Sequence, residues 1–160
     1  MNCNLCPIGE IREENGELLI EVFEKYRKAM TGLEEHRYLQ IIWWFDRCDN
    51  EQSRNKLTEE KPYKKGPALL GTFATRSPER PNPIAVSNVL ALSVEAGSGT
   101  IRVPYIDAFP GTPVLDIKPY TPSIDRVENV TMPEWCEEWP RSVEASGDFD
   151  WSAVFNFGEA

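Results

Sequence analysis

The stretch GTFATRSPERPNPIAVS, residues 71–87, divides the chain into two parts with different patterns. It contains three prolines, Pro78, Pro81 and Pro83. Each proline fixes its own φ angle and restricts the residue before it, so this segment cannot pair as a central strand. Its shape is largely set before any ligand arrives, which lowers the entropy lost on binding.

The same stretch carries Arg76, Arg80 and Asn82. The two arginines are four positions apart, so both can address one anionic group, and Asn82 adds donors and an acceptor. The residues alone allow two interpretations. One is a preorganised ligand-binding segment, and the other is a proline-rich turn whose arginines pair with an acidic tail.

Strand-length runs lie on both sides of this segment. Downstream are IAVSNVLALSVEA, GTIRVPYI and PVLDIKPY, separated by Gly and Pro; upstream are LLGTFA and the aromatic and β-branched run YLQIIWWF. PIGEIR and GELLIEV flank an Asn15-Gly16 dipeptide, which predicts a tight hairpin. FEKYRKAMTGLEEH predicts a short helix that ends at Gly32, and the polar residues 46–65 predict a surface connection.

Length and composition favour one soluble domain spanning residues 1–160. No run of about 18 apolar residues occurs, so no membrane-spanning helix is expected. The start, MNCNLCPIGE, lacks a signal-peptide pattern. The sequence therefore predicts a cytoplasmic, mainly β protein, and the aromatic anchors of residues 121–160 predict a tail that packs on the body.

The net charge of −9 is unevenly distributed. Residues 53–80 hold seven Lys or Arg against three Glu, whereas residues 121–160 hold nine Asp or Glu against two Arg. A basic face that could hold a phosphate is therefore compatible with a negative net charge of the whole chain. Charge alone does not decide which partner the protein binds.

Cys3 and Cys6 form a C-x-x-C pair, and Cys48 and Cys136 are the other two cysteines. One such pair offers two ligands, whereas structural zinc normally takes four. Four mostly reduced thiols without a metal is the favoured interpretation. A site completed by the other cysteines or by His36 is the alternative.

A second stretch, YIDAFPGTPVLDIKPY, places Asp107, Asp116 and Lys118 around a PGTP turn. Asp116 and Lys118 share one face if their run is a strand. These carboxylates could hold ribose hydroxyls or could close ion pairs with Arg76 and Arg80, and the pattern permits both.

Together, FATRSPERPNPIAVS and DAFPGTPVLDIKPY resemble the signature of the TrmO family, also called TsaA-like or YaeB-like proteins. The resemblance spans about residues 7–120. It implies a small β-barrel, a homodimer, and S-adenosylmethionine-dependent methylation of N6 of a threonylcarbamoyl-modified adenosine at position 37 of tRNA. The fold expected is therefore a single-domain TsaA-like β-barrel with a short helix and an irregular C-terminal tail.

The resemblance also implies site residues. The expected S-adenosylmethionine contacts come from three parts of the chain: Asp46 and Arg47 after the WWF run, Arg76 and Val86 around the proline-rich stretch, and Asp107, Ala108, Phe109 and Pro110 before GTPVLDIKPY. Arg80, Asn82 and Lys118 are the candidate substrate-binding residues. Asp46 and Tyr105 are candidates for receiving the proton that leaves the methylated nitrogen.

Four departures separate this sequence from the family pattern. Asp46 stands where a His is common, Ala85 where Gly is usual, and Pro110 where a second Asp is frequent. Residues IREENGELL join two strands directly, without the basic insert of members that act on tRNA. Two alternatives follow: a methyltransferase for a small molecule or another RNA, and a non-catalytic module that binds S-adenosylmethionine.

Overall fold

The computed structural model describes residues 4–156, and its contacts divide the chain into two compact units. One unit contains Met1–Asp49 and Pro83–Arg126, and the other contains Asn50–Asn82 and Val127–Ala160. The proline-rich stretch of residues 71–87 therefore crosses from the second unit into the first.

Nine strands account for most of the regular structure. They are β1 (Gly9–Glu14), β2 (Glu17–Val22), β3 (Tyr38–Trp44), β4 (Thr58–Glu60), β5 (Leu69–Gly71), β6 (Ile84–Leu90), β7 (Ser93–Glu95), β8 (Thr100–Val103) and β9 (Pro113–Pro119). Seven strands form one sheet in the first unit, in the order β6-β3-β9-β1-β2-β8-β7, with every pair antiparallel. β4 and β5 form a separate antiparallel pair in the second unit.

The predicted hairpin is confirmed. β1 and β2 pair in register from Gly9↔Val22 to Glu14↔Glu17, so the loop has two residues. Asn15 and Gly16 both have positive φ angles, 52° and 81°. Two successive positive φ angles match the twist of the flanking strands, which explains why Asn-Gly occupies this turn.

The core of the first unit lies on one face of the sheet. On β3 buried and half-buried residues alternate, with Leu39, Ile41 and Trp43 buried. Trp43 also donates its indole N–H to Ser87 Oγ on β6 at 2.9 Å. The remaining members of the core cluster come from almost every strand and from two connecting segments: Ile11, Ile20, Val22, Met30, Ala85, Val89, Ile101, Val103, Ile106 and Val114.

The mainly β prediction is confirmed, whereas barrel closure is not observed. The hydrogen-bonded order ends at β6 on one side and β7 on the other, and in residues 4–156 no strand ladder joins these two edges. The structure thus contains a large open antiparallel sheet with few helices.

The helical segments are shorter than the sequence predicts. The helix predicted to end at Gly32 is a 3-10 helix, Glu24–Met30; Gly32 has a φ of 84°, and a further 3-10 turn, Leu33–Glu35, follows it. The polar connection of residues 46–65 holds a 3-10 turn at Asp46–Cys48, the helix α1 (Glu51–Arg54) and β4. Only the first half of LLGTFA is a strand, because Thr72–Ala74 forms a 3-10 turn. Two further one-turn helices are α2 (Pro122–Asp125) and α3 (Val143–Ser146).

In the second unit the tail packs against residues 61–65. Tyr63 stacks on Trp135 with ring centroids 5.0 Å apart and meets Trp139 edge-on at 5.1 Å. Backbone hydrogen bonds flank this contact, from Lys64 N–H to the Val154 carbonyl at 2.9 Å and from Asn156 N–H to the Pro62 carbonyl at 2.9 Å. The aromatic residues that the sequence marks as anchors therefore build the core of this unit.

None of the helices in residues 4–156 has the length and apolar character needed to cross a bilayer.

Candidate functional site

Asp46 lies directly after β3, in the 3-10 turn Asp46–Cys48, and is exposed. Its Oδ1 accepts a hydrogen bond from Thr112 Oγ1 at 3.2 Å. Thr112 is only 2% exposed, so this contact fixes the carboxylate against the start of β9. One oxygen of Asp46 is held while the residue remains open to solvent.

Arg47 contacts the segment between β8 and β9, residues 104–112, to which Thr112 also belongs. Its guanidinium carbon lies 3.6 Å from the centroid of the Phe109 ring. A guanidinium over an aromatic face is attractive through the ring quadrupole. Because Phe109 is 57% exposed, the stacked pair presents a flat, positively charged surface to solvent.

The backbone around Gly111 anchors this connection to β1. Gly111 N–H donates to the Ile11 carbonyl at 2.7 Å, and Ile11 N–H donates to the Thr112 carbonyl at 2.9 Å. Gly111 has a φ of 88°, a conformation that favours glycine. The expected cofactor segment, residues 107–110, is thereby held on one side by β1 and on the other by Asp46 and Arg47.

Tyr105, the second candidate proton acceptor, is 67% exposed. Desolvation raises the pKa of its phenol, and the neighbouring Asp107 raises that pKa further. A phenol whose pKa is raised above its ordinary value of 10.0 stays protonated near neutral pH. Of the adjacent candidates, Ala108 is half-buried and Pro110 is exposed.

Val86, Asp116 and Lys118 lie on the sheet face opposite the core. Val86 pairs with Ile42 of β3, and Ile42 pairs in turn with Asp116 of β9. Lys118 Nζ contacts Asp116 Oδ2 at 2.5 Å, so the prediction that these two residues share a strand face is confirmed. This ion pair raises the pKa of Lys118 through the hydrogen bond to Asp116. Val86 is 40% exposed in the same row of the sheet.

The remaining candidates, Arg76, Arg80 and Asn82, belong to the second unit. Arg76 and Asn82 are exposed and Arg80 is half-buried. Thr75, directly before Arg76, is 9% exposed and donates its hydroxyl to the Thr72 carbonyl at 2.9 Å. The segment leading to Arg76 is therefore fixed by a buried turn.

Glu79 braces the middle of the proline-rich stretch. It forms an ion pair with Lys56, and its carboxylate accepts a hydrogen bond from Ser53 Oγ at 3.4 Å. The hydrogen bond with Glu79 is the largest cause of the raised pKa of Lys56, followed by the hydrogen bond with Glu59. Arg54 Nη1 donates to the Pro81 carbonyl at 3.0 Å. Three contacts from residues 53–56 thus hold this loop in place.

In the first unit Asp46 contacts Thr112 and Arg47 contacts Phe109, so both candidates lie against the segment that precedes β9. Sequence reasoning missed Thr112, whose buried hydroxyl orients Asp46. It also missed Glu79, which holds the arginine-bearing loop. The position of Thr112 inside the PGTP turn was the available signal, since a hydroxyl at a buried strand start needs a partner.

No group of three or more His, Cys, Asp or Glu residues suited to a metal ion occurs in residues 4–156. Cys6 is exposed, Cys48 half-buried and Cys136 buried, and all three are free thiols. Cys3 lies outside the described residues, so the character of the C-x-x-C pair stays a prediction.

Fold and site together define a mainly β, antiparallel domain whose strand ends carry acidic, cationic and aromatic groups suited to a polar ligand. The chain belongs to the family of the tRNA-methyltransferase O N-terminal domain, whose model matches residues 2–126.

The names of individual proteins similar to this chain are consistent with this family. A probable S-adenosyl-L-methionine-binding protein of Pyrococcus abyssi is 34% identical over 142 residues, covering 89% of this chain and 72% of the relative. A tRNA (adenine(37)-N6)-methyltransferase of Homo sapiens is 35% identical over 112 residues, covering 70% of this chain and 24% of the relative. The solved structure of TrmO from Pseudomonas aeruginosa aligns with a TM-score of 0.61 at 28% identity, covering 82% of this chain. The chain spans 62% of that solved chain, less than two thirds of its length.

Proposed function

We propose that this protein is an S-adenosylmethionine-dependent methyltransferase that methylates N6 of adenine 37 in tRNA, with the threonylcarbamoyl-modified adenosine as its substrate. The observation that carries the proposal is the cluster of Asp46, Arg47 and Phe109 at the positions where the motifs assign the cofactor. Relatives named as S-adenosyl-L-methionine-binding proteins and as tRNA (adenine(37)-N6)-methyltransferases support both halves of the proposal.

The chemistry of these side chains fits the cofactor. S-adenosylmethionine has a carboxylate, an ammonium, a sulfonium and a planar adenine. A guanidinium suits the carboxylate, a carboxylate suits a cation, and an aromatic face suits the adenine. Asp46, Arg47, Val86 and the segment Asp107, Ala108, Phe109 and Pro110 would provide these contacts. The resemblance assigns Arg76 to the cofactor as well.

When bound, S-adenosylmethionine supplies an electrophilic methyl group. This chain must hold the adenine N6 in line with that group, which is chiefly a positioning task. Transfer of the methyl group to N6 would require one N6 proton to leave. We assign its removal to the Asp46 carboxylate, which Thr112 orients. Tyr105, with its raised phenol pKa, is the weaker candidate.

Further parts of the proposal rest on the resemblance. Arg80, Asn82 and Lys118 contact the tRNA, the protein acts as a homodimer, and it works in the cytoplasm. We also propose that residues 1–160 form one domain on which the tail packs. A barrel-like closure of the large sheet is supported by its core cluster, because residues of both edge regions, such as Ala85 and Ile101, belong to one cluster.

Charge pairing favours one alternative. Lys65 pairs with Glu138, and Lys56 pairs with Glu59 and Glu79, so part of the basic stretch is already neutralised. That pairing weakens the case for extended phosphate contacts and favours a small-molecule acceptor over an RNA. A non-catalytic module that binds S-adenosylmethionine is the remaining alternative.

Two measurements test the proposal. Titration calorimetry with S-adenosylmethionine tests the cofactor site, and transfer of a labelled methyl group to tRNA carrying the modified adenosine tests the reaction. Micromolar binding with transfer supports the proposal. Binding without transfer to any acceptor favours the non-catalytic module, and no binding up to millimolar cofactor rejects both.

A further inference from the structure

A cavity in the second unit belongs to no site described so far. Its volume is about 170 Å³, and its walls are the rings of Tyr63, Trp135, Trp139 and Phe149. Lys65 and Glu138 line it as an exposed ion pair at 2.5 Å. The cavity therefore has aromatic walls and a charged rim.

The wall rings are arranged around one another with fixed geometry. Tyr63 and Trp135 stack with an interplanar angle of 21°, and Trp139 meets both edge-on, at 5.1 Å and 5.5 Å. Trp151 contacts Trp139 edge-on, with ring centroids 5.5 Å apart. Ring positions fixed in this way form a rigid surface that loses little entropy when a flat ligand binds.

Within residues 4–156, two indole donors of these walls form no hydrogen bond with the protein. Trp43, Trp44 and Trp151 donate their indole N–H groups to Ser87, Asp49 and Ser146 respectively. In the part of the chain that the structure describes, no protein acceptor receives the indole N–H of Trp135 or Trp139. A half-buried indole N–H usually finds an acceptor, so these two groups can donate a hydrogen bond to a ligand.

The chemistry of the walls defines the ligand. It must be flat enough to stack, small enough for the cavity, and must carry hydrogen-bond acceptors. A nucleobase has π faces and ring or carbonyl acceptors, whereas a quaternary ammonium has no acceptor for the indole groups. Unpaired RNA bases are characteristically bound by stacking on aromatic side chains.

We propose that the aromatic cavity binds one unpaired base of an RNA loop. This inference rests on the proposed function, for which it supplies a second contact with the substrate. Lys65 at the rim provides a cation for the backbone phosphate that follows the base. This phosphate takes the place of Glu138 beside Lys65. The exposure of Lys65 and Glu138, 71% and 79%, makes that ion pair weak enough to exchange.

The test fills the cavity without removing a wall. Ala153 is exposed and lines the cavity, so Ala153→Phe places a ring into it; Ala145→Phe makes the same change on α3, outside the lining. The probe is an RNA hairpin with a single-stranded loop, titrated by tryptophan fluorescence, and the same strand in a full duplex is the comparison. We expect Ala153→Phe to weaken hairpin binding about tenfold and Ala145→Phe to leave it unchanged.

A second variant keeps the inference testable if Ala153→Phe does not fold. Trp135→Phe keeps the aromatic stack but removes one indole donor, and it should weaken hairpin binding about threefold to tenfold. Circular dichroism confirms that each variant is folded. Unchanged hairpin affinity in both variants, equal losses for hairpin and duplex, or no hairpin binding by the wild-type chain would overturn the inference.

Calorimetry with S-adenosylmethionine separates this inference from the proposed function. Ala153→Phe should leave the cofactor affinity within twofold of wild type. A wild-type chain that binds the hairpin but not the cofactor contradicts the proposed function and leaves the cavity assignment standing. Normal cofactor binding with hairpin affinity insensitive to the cavity variants contradicts the cavity assignment alone.

Discussion

At the scale of single residues, the site candidates differ in how firmly they are held. Asp46 is oriented by the buried hydroxyl of Thr112, and Arg47 is held by the Phe109 ring. Arg76 follows Thr75, whose buried side chain closes a turn with Thr72. Each exposed functional group thus extends from a fixed neighbour, an arrangement that lowers the entropic cost of binding.

The first prediction concerns Arg76. We expect Arg76→Ala to weaken S-adenosylmethionine binding at least tenfold, because a charge-assisted contact with the carboxylate is commonly worth about 1.5–3 kcal/mol. Titration calorimetry measures the effect. Arg37→Ala removes the same charge from an exposed position outside the candidate site and serves as the control. Equal affinities for Arg76→Ala and wild type in folded protein would remove Arg76 from the site.

The second prediction concerns the Asp46–Thr112 hydrogen bond. Thr112→Val removes the hydroxyl that orients Asp46 while nearly preserving side-chain shape. We expect a lower kcat for methyl transfer, because the carboxylate then loses its fixed position. Asp46→Asn should lower kcat further, since an amide cannot accept the proton. A kcat for Thr112→Val equal to that of wild type would show that this hydrogen bond does not position the proton acceptor.

At the scale of elements, the sequence was sufficient to predict those structures that depend on residues close together in the chain. The Asn-Gly dipeptide indicated the hairpin, and the aromatic and β-branched run YLQIIWWF indicated strand β3. The segment before Gly32 was indicated as a helix with Gly32, at φ 84°, as its end, but the pattern did not indicate that Glu24–Met30 is a 3-10 helix. The Asp46–Thr112 bond joins residues 66 positions apart, and no local pattern encodes such a contact.

The hairpin gives the third prediction. Gly16 and Gly97 both have open space where a Cβ would be added, but only Gly16 has a positive φ angle, 81°. Gly16→Ala should therefore lower the free energy of unfolding by about 1–2 kcal/mol more than Gly97→Ala, because an L side chain is strained in this conformation. Urea denaturation measures both variants. Equal losses would mean that the turn relaxes to another backbone conformation.

The aromatic cluster of the second unit gives the fourth prediction. Burial is the main cause of the raised pKa of the Tyr63 phenol; Cys136 and Glu59 raise it further, and Arg76 opposes them. Since the folded pKa lies above the ordinary value of 10.0, the folded state keeps this proton while the unfolded state loses it. Stability contributed by the proton is fully present below about pH 10 and is lost as pH rises through the folded pKa.

Tyr63→Phe keeps the ring stack and removes this titration. We expect the unfolding free energy of wild type to fall more between about pH 9 and pH 11 than that of the variant. Denaturant titrations of wild type and Tyr63→Phe at both pH values provide the comparison. Identical pH dependence in wild type and Tyr63→Phe would show that Tyr63 ionises equally in the folded and unfolded chains.

At the scale of the whole molecule, the net charge of −9 conceals opposite charges at separate places in the sequence. The second unit brings part of them together, because Lys65 pairs with Glu138 at 2.5 Å and Lys64 Nζ donates to the Ser152 carbonyl at 2.8 Å. Composition alone showed the two charge blocks but could not show that they pair, since pairing depends on how the tail folds back. A ligand that needs these lysines must compete with the tail.

That competition gives the fifth prediction, on the salt dependence of tRNA binding. Glu138→Gln removes the carboxylate that a backbone phosphate must displace from Lys65, so we expect tighter tRNA binding at low salt and a plot of log affinity against log salt steeper by up to about 0.9, because a displaced Glu138 no longer takes up a counterion. Glu137→Gln makes the same charge change one residue away, outside the ion pair, and should leave the slope at the wild-type value. Filter binding over a series of salt concentrations measures all three slopes. Equal slopes for the two variants would mean that Lys65 does not contact the RNA backbone, and a wild-type affinity independent of salt would favour a small-molecule acceptor over tRNA.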